Sequence, residues 1–302
     1  MTAPESGPQT ILEFIRVTAE HFKKYAVDDA RLEAELLLAH AIGTNRVGLY
    51  VNYDRPLTTD EVARFRELVK RRGRHEPVAY ILGVKEFWSL AFEVGSGILV
   101  PRPETECLVE EALVIAKALA PHLAGRPLRI ADVGTGSGAI AVALAKELPQ
   151  AELWAGDIAD APLAYAARNA ARHGVAERVH VVRADGLAPL AALAGAPFDL
   201  VCSNPPYIRA ADFEALPRHV RQSEPTVALL AGPDGLDVVR ALVADAARPD
   251  VLAPGGGLLL EIGDAPQAHA TQALMVPHFG AVRVRADYAG LARIVVGTGA
   301  HP

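Results

Sequence analysis

At 302 residues, with 51% hydrophobic side chains, the chain has room for two domains and enough apolar surface for a large core, which excludes global disorder. A net charge of −6 argues against broad nucleic-acid binding through phosphate neutralisation. The two cysteines, Cys107 and Cys202, are far apart in sequence and form neither a disulfide framework nor a zinc cluster, which fits a reducing compartment.

The opening MTAPESGPQT has no basic segment followed by an apolar one, so no signal peptide is expected. No apolar run reaches membrane-spanning length, because Ala-rich stretches such as 159–171 carry Asp160, Arg168 and Asn169. A cytoplasmic protein is expected.

Helical periodicity dominates up to about residue 85. TILEFIRVTAEHFKK places Ile11, Phe14, Ile15 and Thr18 on one face. DDARLEAELLLAHAIG opens on acidic residues, which suit a helix N-terminus, and stops at Gly43. TTDEVARFRELVKRRGRHEP offers a cap at Thr58, Thr59 or Asp60 and a stop near Gly73. VAYILGVKEFWSLAFEVGSGILVPRPETE is then rich in β-branched and aromatic residues, which predicts a hairpin or two short strands between domains. ETECLVEEALVIAKALA returns to a helical pattern.

From Leu128 the pattern alternates. Strands are predicted at 128–133, 151–156, 179–184, 198–203, 257–262, 281–286 and 292–297, and helices at 139–148, 161–173, 236–247 and 266–276. Such alternation predicts a doubly wound, mostly parallel sheet. The last two strands are joined by a loop, which predicts an antiparallel edge pair.

Four strand ends carry chemistry. After the first strand, DVGTGSG supplies a tight turn through Gly134, Gly136 and Gly138, with Thr135 and Ser137 between them. The helix that follows offers unpaired N–H groups to an anionic ligand group, here a carboxylate. The glycine spacing points to an adenosine-containing cofactor and lacks the spacing of a serine nucleophile elbow. Asp157 ends the second strand about twenty residues beyond the glycine loop, where a carboxylate accepts from both ribose hydroxyls; a helix-capping aspartate is the plainer alternative. Asp185 follows the third strand, within reach of an adenine amine, with Gly186 beside it.

The fourth strand ends in Asn204, Pro205, Pro206 and Tyr207. Two prolines remove backbone donors and stiffen the chain, leaving a surface rich in acceptors. A planar –NH₂ group needs two acceptors. The Asn204 side-chain oxygen and the Pro205 carbonyl can supply them, with Tyr207 packed against the plane. Holding both hydrogens fixes the orientation of a nitrogen whose lone pair is otherwise delocalised.

DVGTGSG, the second-strand aspartate and NPPY together resemble a class I S-adenosylmethionine-dependent methyltransferase acting on an amide or amino nitrogen. NPPY is shared by glutamine and adenine methyltransferases and does not choose between them. RRGRHEPVAYILGVKEFWSL, LVPRPETECLVEEAL, EPTVALLAGPDGLDVVR, LLLEIG and DYAGLARIVVG resemble the bacterial release factor glutamine methyltransferases of the HemK/PrmC family. The resemblance spans nearly the whole chain and is weakest in the first fifty or so residues.

It implies a Rossmann-like methyltransferase domain at 108–302 with a seven-stranded, mostly parallel sheet. A helical release-factor-binding domain at 1–85 and a β-hairpin linker at 86–107 would precede it. It also implies S-adenosylmethionine as cofactor, held by residues 134–138, Asp157 and Asn204. Residues 204–207 would hold a release-factor glutamine, that of the Gly-Gly-Gln loop. Some family members carry an aromatic residue where this chain has Gly186, which leaves adenine a backbone contact there.

No metal, membrane or direct nucleic-acid substrate is expected. The ten histidines show no metal-ligand spacing. Glu104 and Glu106 are expected to act locally. The basic run of Arg64, Arg66, Lys70, Arg71, Arg72 and Arg74 reads as a solvated helix face, with contact to a partner as the alternative. The rival functions are an adenine N6 methyltransferase of nucleic acid, a catalytically silent cofactor-binding module and, more remotely, a dehydrogenase.

Overall fold

The computed structural model describes residues 9–301 apart from Ala26 and Asp28. The first eight residues, on which the signal-peptide expectation rests, and Asp28, at the head of the second predicted helix, lie outside the described residues. Contacts group the described residues up to Gly83, together with Arg218–Ser223, into one unit. Val84–Pro217 and the residues from Glu224 onward form the other. The hairpin therefore groups with the second unit, where the sequence reading sets it apart as a linker.

The first unit is helical: α1 (Ile11–Lys23), α2 (Ala30–Ala41), α3 (Arg46–Val51), α4 (Thr59–Gly73) and α5 (Val78–Leu82). Thr10 and Glu13 close a reciprocal capping box on α1, and Thr58 and Glu61 do so on α4. Ile11, Phe14, Ile15 and Thr18 are all buried, as their spacing predicts. They share a core with Phe22, Leu37, Leu38, Leu49 and Phe65.

The structure corrects the sequence reading at Val78–Leu82. These residues form a helical turn, not a strand. Pro77 opens it and Gly83, at φ +71°, closes it in the left-handed conformation, so the end signals override β-branched propensity. The basic run on α4 is largely committed within the fold. Arg64 donates to the Ala41 carbonyl, Lys70 pairs with Glu67, Arg71 with Glu76, and buried Arg72 with Glu33.

In the second unit, β1 (Val84–Phe87) and β2 (Leu90–Glu93) form a hairpin. Its two-residue turn, Trp88–Ser89, has φ of +54° and +55°, the sign pattern of a type I′ turn. The Trp88 N–H donates to Glu106 (2.7 Å) and its indole N–H to Glu147 (2.9 Å). The elements that follow are α6 (Glu106–Leu119), β3 (Leu128–Val133), α7 (Ala139–Glu147), β4 (Ala151–Asp157), α8 (Asp160–Arg172), β5 (Val179–Arg183), α9 (Leu187–Ala194) and β6 (Phe198–Ser203). After α10 (Arg218–Ser223), which groups with the first unit, come α11 (Asp237–Ala246), β7 (Leu252–Glu261), α12 (Ala265–Met275), β8 (Phe279–Ala286) and β9 (Ala292–Ala300).

The seven-stranded sheet has the order β5-β4-β3-β6-β7-β9-β8. Its first five strands are parallel, while β9 runs antiparallel to both β7 and β8. The expected antiparallel pair is present, but only β8 is an edge, because β9 inserts beside β7. The interior is aliphatic, with Ile130, Leu153, Leu200, Leu258, Leu259 and Val295 all shut off from solvent, as a sheet covered on both faces requires. Helix α9 is absent from the sequence reading. Pro189 argues against a helix there, yet it falls in the first turn, where a missing N–H costs nothing.

Candidate active site

The carboxyl ends of β5, β4, β3 and β6 are neighbours in the sheet, and each predicted site residue follows one of them. Chain order reverses between β3 and β6, which opens the crevice where such sheets bind ligands.

The glycine loop is held by its own neighbourhood. The N–H groups of Gly134 and Thr135 both donate to the Gly156 carbonyl at 2.9 Å, and Gly138 N–H to the Thr135 carbonyl at 2.8 Å. Asp132, fully buried, accepts from the Thr135 hydroxyl (2.6 Å) and from Ala141 N–H (3.1 Å), tying the loop to the first turn of α7. Burial pushes the Asp132 carboxyl up to about 7, against the pull of those donors. Gly138 sits at φ +81°, and a Cβ there would lie 3.0 Å from the Ala166 backbone, so a close approach of α7 to α8 requires glycine. Gly134 and Gly136 also have positive φ, but a Cβ on either would enter open space.

Asp157 receives Gly136 N–H and Ala159 N–H, each at 3.1 Å. Burial raises its pKa, and backbone donors oppose the shift. It thus braces the glycine loop while standing at the crevice. Asp185, two residues beyond β5, is exposed and makes no hydrogen bond within the described chain. Gly186 has φ +91° and leads into α9. That conformation is strained for any residue with a Cβ.

The turn after β6 is held differently. Ser203 anchors it by donating to the Val133 carbonyl (2.7 Å). Asn204 Nδ2 donates to Thr105 Oγ1 at 3.1 Å, and Thr105 donates to Glu261 Oε2 at 2.7 Å. Asn204 Oδ1 is buried and has no partner. The Tyr207 carbonyl receives Gln267 Nε2 at 2.8 Å. A Cβ on Gly263 would lie 3.0 Å from the Tyr207 ring, so the ring packs flush against that backbone. Burial first, and nearby Glu261 second, push the Tyr207 phenol up to about 12, so it stays protonated.

Sequence reasoning missed Thr105, Glu261, Gln267 and Asp132 as parts of the site. The first two lie in PRPETE and LLLEIG, segments that carry the family resemblance without an assigned role. Two further contacts show how those segments converge: Arg102 of PRPETE pairs with buried Glu224 of EPTVAL, and Arg293 of the final strand donates to the Gly263 carbonyl (3.1 Å). Asn169 was also unassigned. It bridges Ser137 of the glycine loop (2.8 Å) to Glu93 of the hairpin (3.0 Å); a lone asparagine amid alanines was its one signal. Glu106 acts locally, on Trp88. Among the described residues no cluster of His, Cys, Asp or Glu could hold a metal ion, and no helix is long and apolar enough to cross a membrane. Cys107 and Cys202 are both buried and free.

The strand order, the glycine loop after β3 and the acidic end of β4 define a class I methyltransferase. Comparison with known proteins refines this. The family model for the PrmC N-terminal domain matches residues 13–83, and that for the methyltransferase small domain matches residues 114–225. A release factor glutamine methyltransferase from Geobacter sulfurreducens is 46% identical over 254 residues, covering 84% of each chain. One from Chlorobaculum tepidum is 40% identical over 291 residues, covering 96% of this chain and 97% of its own. The catalytic domain of hMettl16, solved in complex with the MAT2A 3′UTR hairpin 6, shares the fold with a TM-score of 0.54 at 16% identity, covering 82% of this chain and 86% of that one. The chain belongs to the release factor glutamine methyltransferase family and is an enzyme of that kind.

Proposed function

We propose that the protein transfers a methyl group from S-adenosylmethionine to the side-chain amide nitrogen of the glutamine in the Gly-Gly-Gln loop of peptide chain release factors. The observation that carries this reading is Asn204 Oδ1, a buried acceptor without a partner at the end of β6. An unmet buried acceptor costs about 1–3 kcal/mol, and an amide –NH₂ placed against it recovers that cost. The residues present also fit the cofactor. Open space stands over Gly134 and Gly136, α7 begins just after them at Ala139, and Asp157, which accepts from Gly136 N–H, lies beside it.

S-adenosylmethionine would supply an electrophilic methyl on sulfur, so the protein's task is placement. The loop 134–138 would hold the cofactor against the open space over Gly134 and Gly136, with Thr135 and Ser137 between the glycines. Asp157 would accept from the ribose, and Asp185 with the Gly186 backbone would meet the adenine. Asn204 Oδ1 and the Pro205 carbonyl would take the two amide hydrogens of glutamine, and Tyr207 would pack against its plane. Pro205 and Pro206 keep the turn stiff, which holds nitrogen in line with methyl and excludes water. The nitrogen's surplus proton leaves to solvent after transfer.

The helical unit would receive the release factor, in the cytoplasm where translation ends. The commitment of most α4 arginines to internal pairs supports a protein partner over nucleic acid. Incubation with labelled S-adenosylmethionine and a purified release factor, followed by mass spectrometry, tests the reading. Label on that glutamine is the expected result, and label on nucleic acid but not on the factor would overturn it.

A further inference from the structure

We infer that Thr105 and Glu261 are positioning residues that decide which atom of the Asn204 amide faces the substrate. The inference deepens the function proposed above and rests on it.

A carboxamide can present its oxygen or its –NH₂ from nearly the same position. Turned one way, Asn204 offers an acceptor to the incoming –NH₂. Turned the other way, donors face donors and the substrate is repelled. Something must choose. The Thr105 hydroxyl has a single hydrogen, which it gives to Glu261 Oε2 at 2.7 Å. It can then only accept from Asn204, so Nδ2 turns toward it, at 3.1 Å. Oδ1 is left pointing elsewhere, buried and without a protein partner. Thr105 is 4% exposed and Glu261 1% exposed, so water does not compete for these bonds.

The choice holds while Glu261 is an acceptor only. Arg293 on β9 and Arg102 before α6 favour its charged form, and Glu104 favours the neutral one; the Tyr207 phenol also faces it. Burial outweighs them and pushes the Glu261 carboxyl up to about 7. Once protonated, Glu261 can donate to Thr105. The threonine hydrogen is then free to turn toward Asn204, and the amide loses its fixed sense. Glu261 meets Asn204 through Thr105, so its role is to orient the amide and not to abstract a proton.

The test uses the full chain with S-adenosylmethionine and a release factor. Thr105→Val, which keeps the shape and removes the hydroxyl, is expected to lower kcat about 10–100-fold, while Thr105→Ser stays within about 3-fold of the wild type. Cofactor affinity should hold within about 3-fold in both. The kcat of the wild type should fall on the acid side between about pH 8 and pH 6, and Glu261→Gln should flatten that limb. A readout independent of turnover is the ¹⁵N side-chain amide signal of Asn204, assigned by its loss in Asn204→Ala. It should shift with pH in the wild type and stay still in Glu261→Gln. Wild-type turnover in Thr105→Val, equal impairment in Thr105→Ser, or an amide signal indifferent to pH in the wild type would each overturn the relay. Failure of the wild type to methylate glutamine overturns the proposed function instead.

Discussion

The glycine loop and the Asn204 turn end two adjacent strands of one sheet, yet they are fixed by different means. The loop is held by near neighbours: Gly156 carbonyl, Asp132 three residues from Thr135, and Asp157 on the next strand. The turn is held by side chains distant in sequence. Thr105 lies 99 residues before Asn204, and Gln267 lies 60 residues after Tyr207. A cofactor loop of this kind carries its geometry in a short peptide. A turn whose prolines lack N–H groups cannot tie itself down, so its orientation is delegated to distant segments.

The comparison predicts separable losses. Asn204→Ala should lower kcat about 10²–10³-fold, as removal of one oriented polar group at a reacting centre does, while the cofactor Kd changes little. Retained turnover on a release factor would break the division. Asp157→Ala should show the opposite split, weakening S-adenosylmethionine about 10–100-fold by calorimetry through loss of a charged acceptor. An unchanged Kd would count against its ribose role.

Gln267→Ala leaves the Tyr207 carbonyl without its donor and should cost about 1–3 kcal/mol in urea denaturation. If the turn is as dependent on distant side chains as the contacts indicate, kcat should fall in this variant with the cofactor Kd intact.

The last prediction concerns Asp132. Burial holds its carboxyl up at about 7 from an ordinary value of 3.8, so the folded chain binds that proton more tightly than the unfolded one. The stability this contributes is fully present below about pH 4 and is lost as pH rises through about 7. Asp132→Asn has no such proton, and should lose less stability than the wild type between about pH 5 and pH 8. Parallel pH profiles for the two would show that the loop is not under this strain.

The same division explains what could be read from the sequence. The glycine loop, Asp157 and NPPY are local patterns at strand ends, and alternation alone located those ends. Asp185 was legible as a strand end, but its exposure was not, because exposure depends on what packs around it. Thr105 and Glu261 were invisible as site residues, since nothing in PRPETE or LLLEIG says that they meet. Helices α5 and α9 were missed for opposite reasons: Val78–Leu82 has strand-like residues between strong end signals, and Leu187–Ala194 has a proline that does no harm in a first turn.

The Trp88–Ser89 turn bears on any effort to raise thermal tolerance. Both residues sit in the left-handed conformation, at a cost of about 1–2 kcal/mol each for residues with a Cβ. Asn-Gly would relax that backbone, and a designer working from turn statistics alone would install it. The exchange would also delete the indole that reaches Glu147. A hairpin made cheaper to fold in this way would keep its ties to α6 and, through Glu93, to α8, so the gain in turn geometry would come with a looser seat against α7.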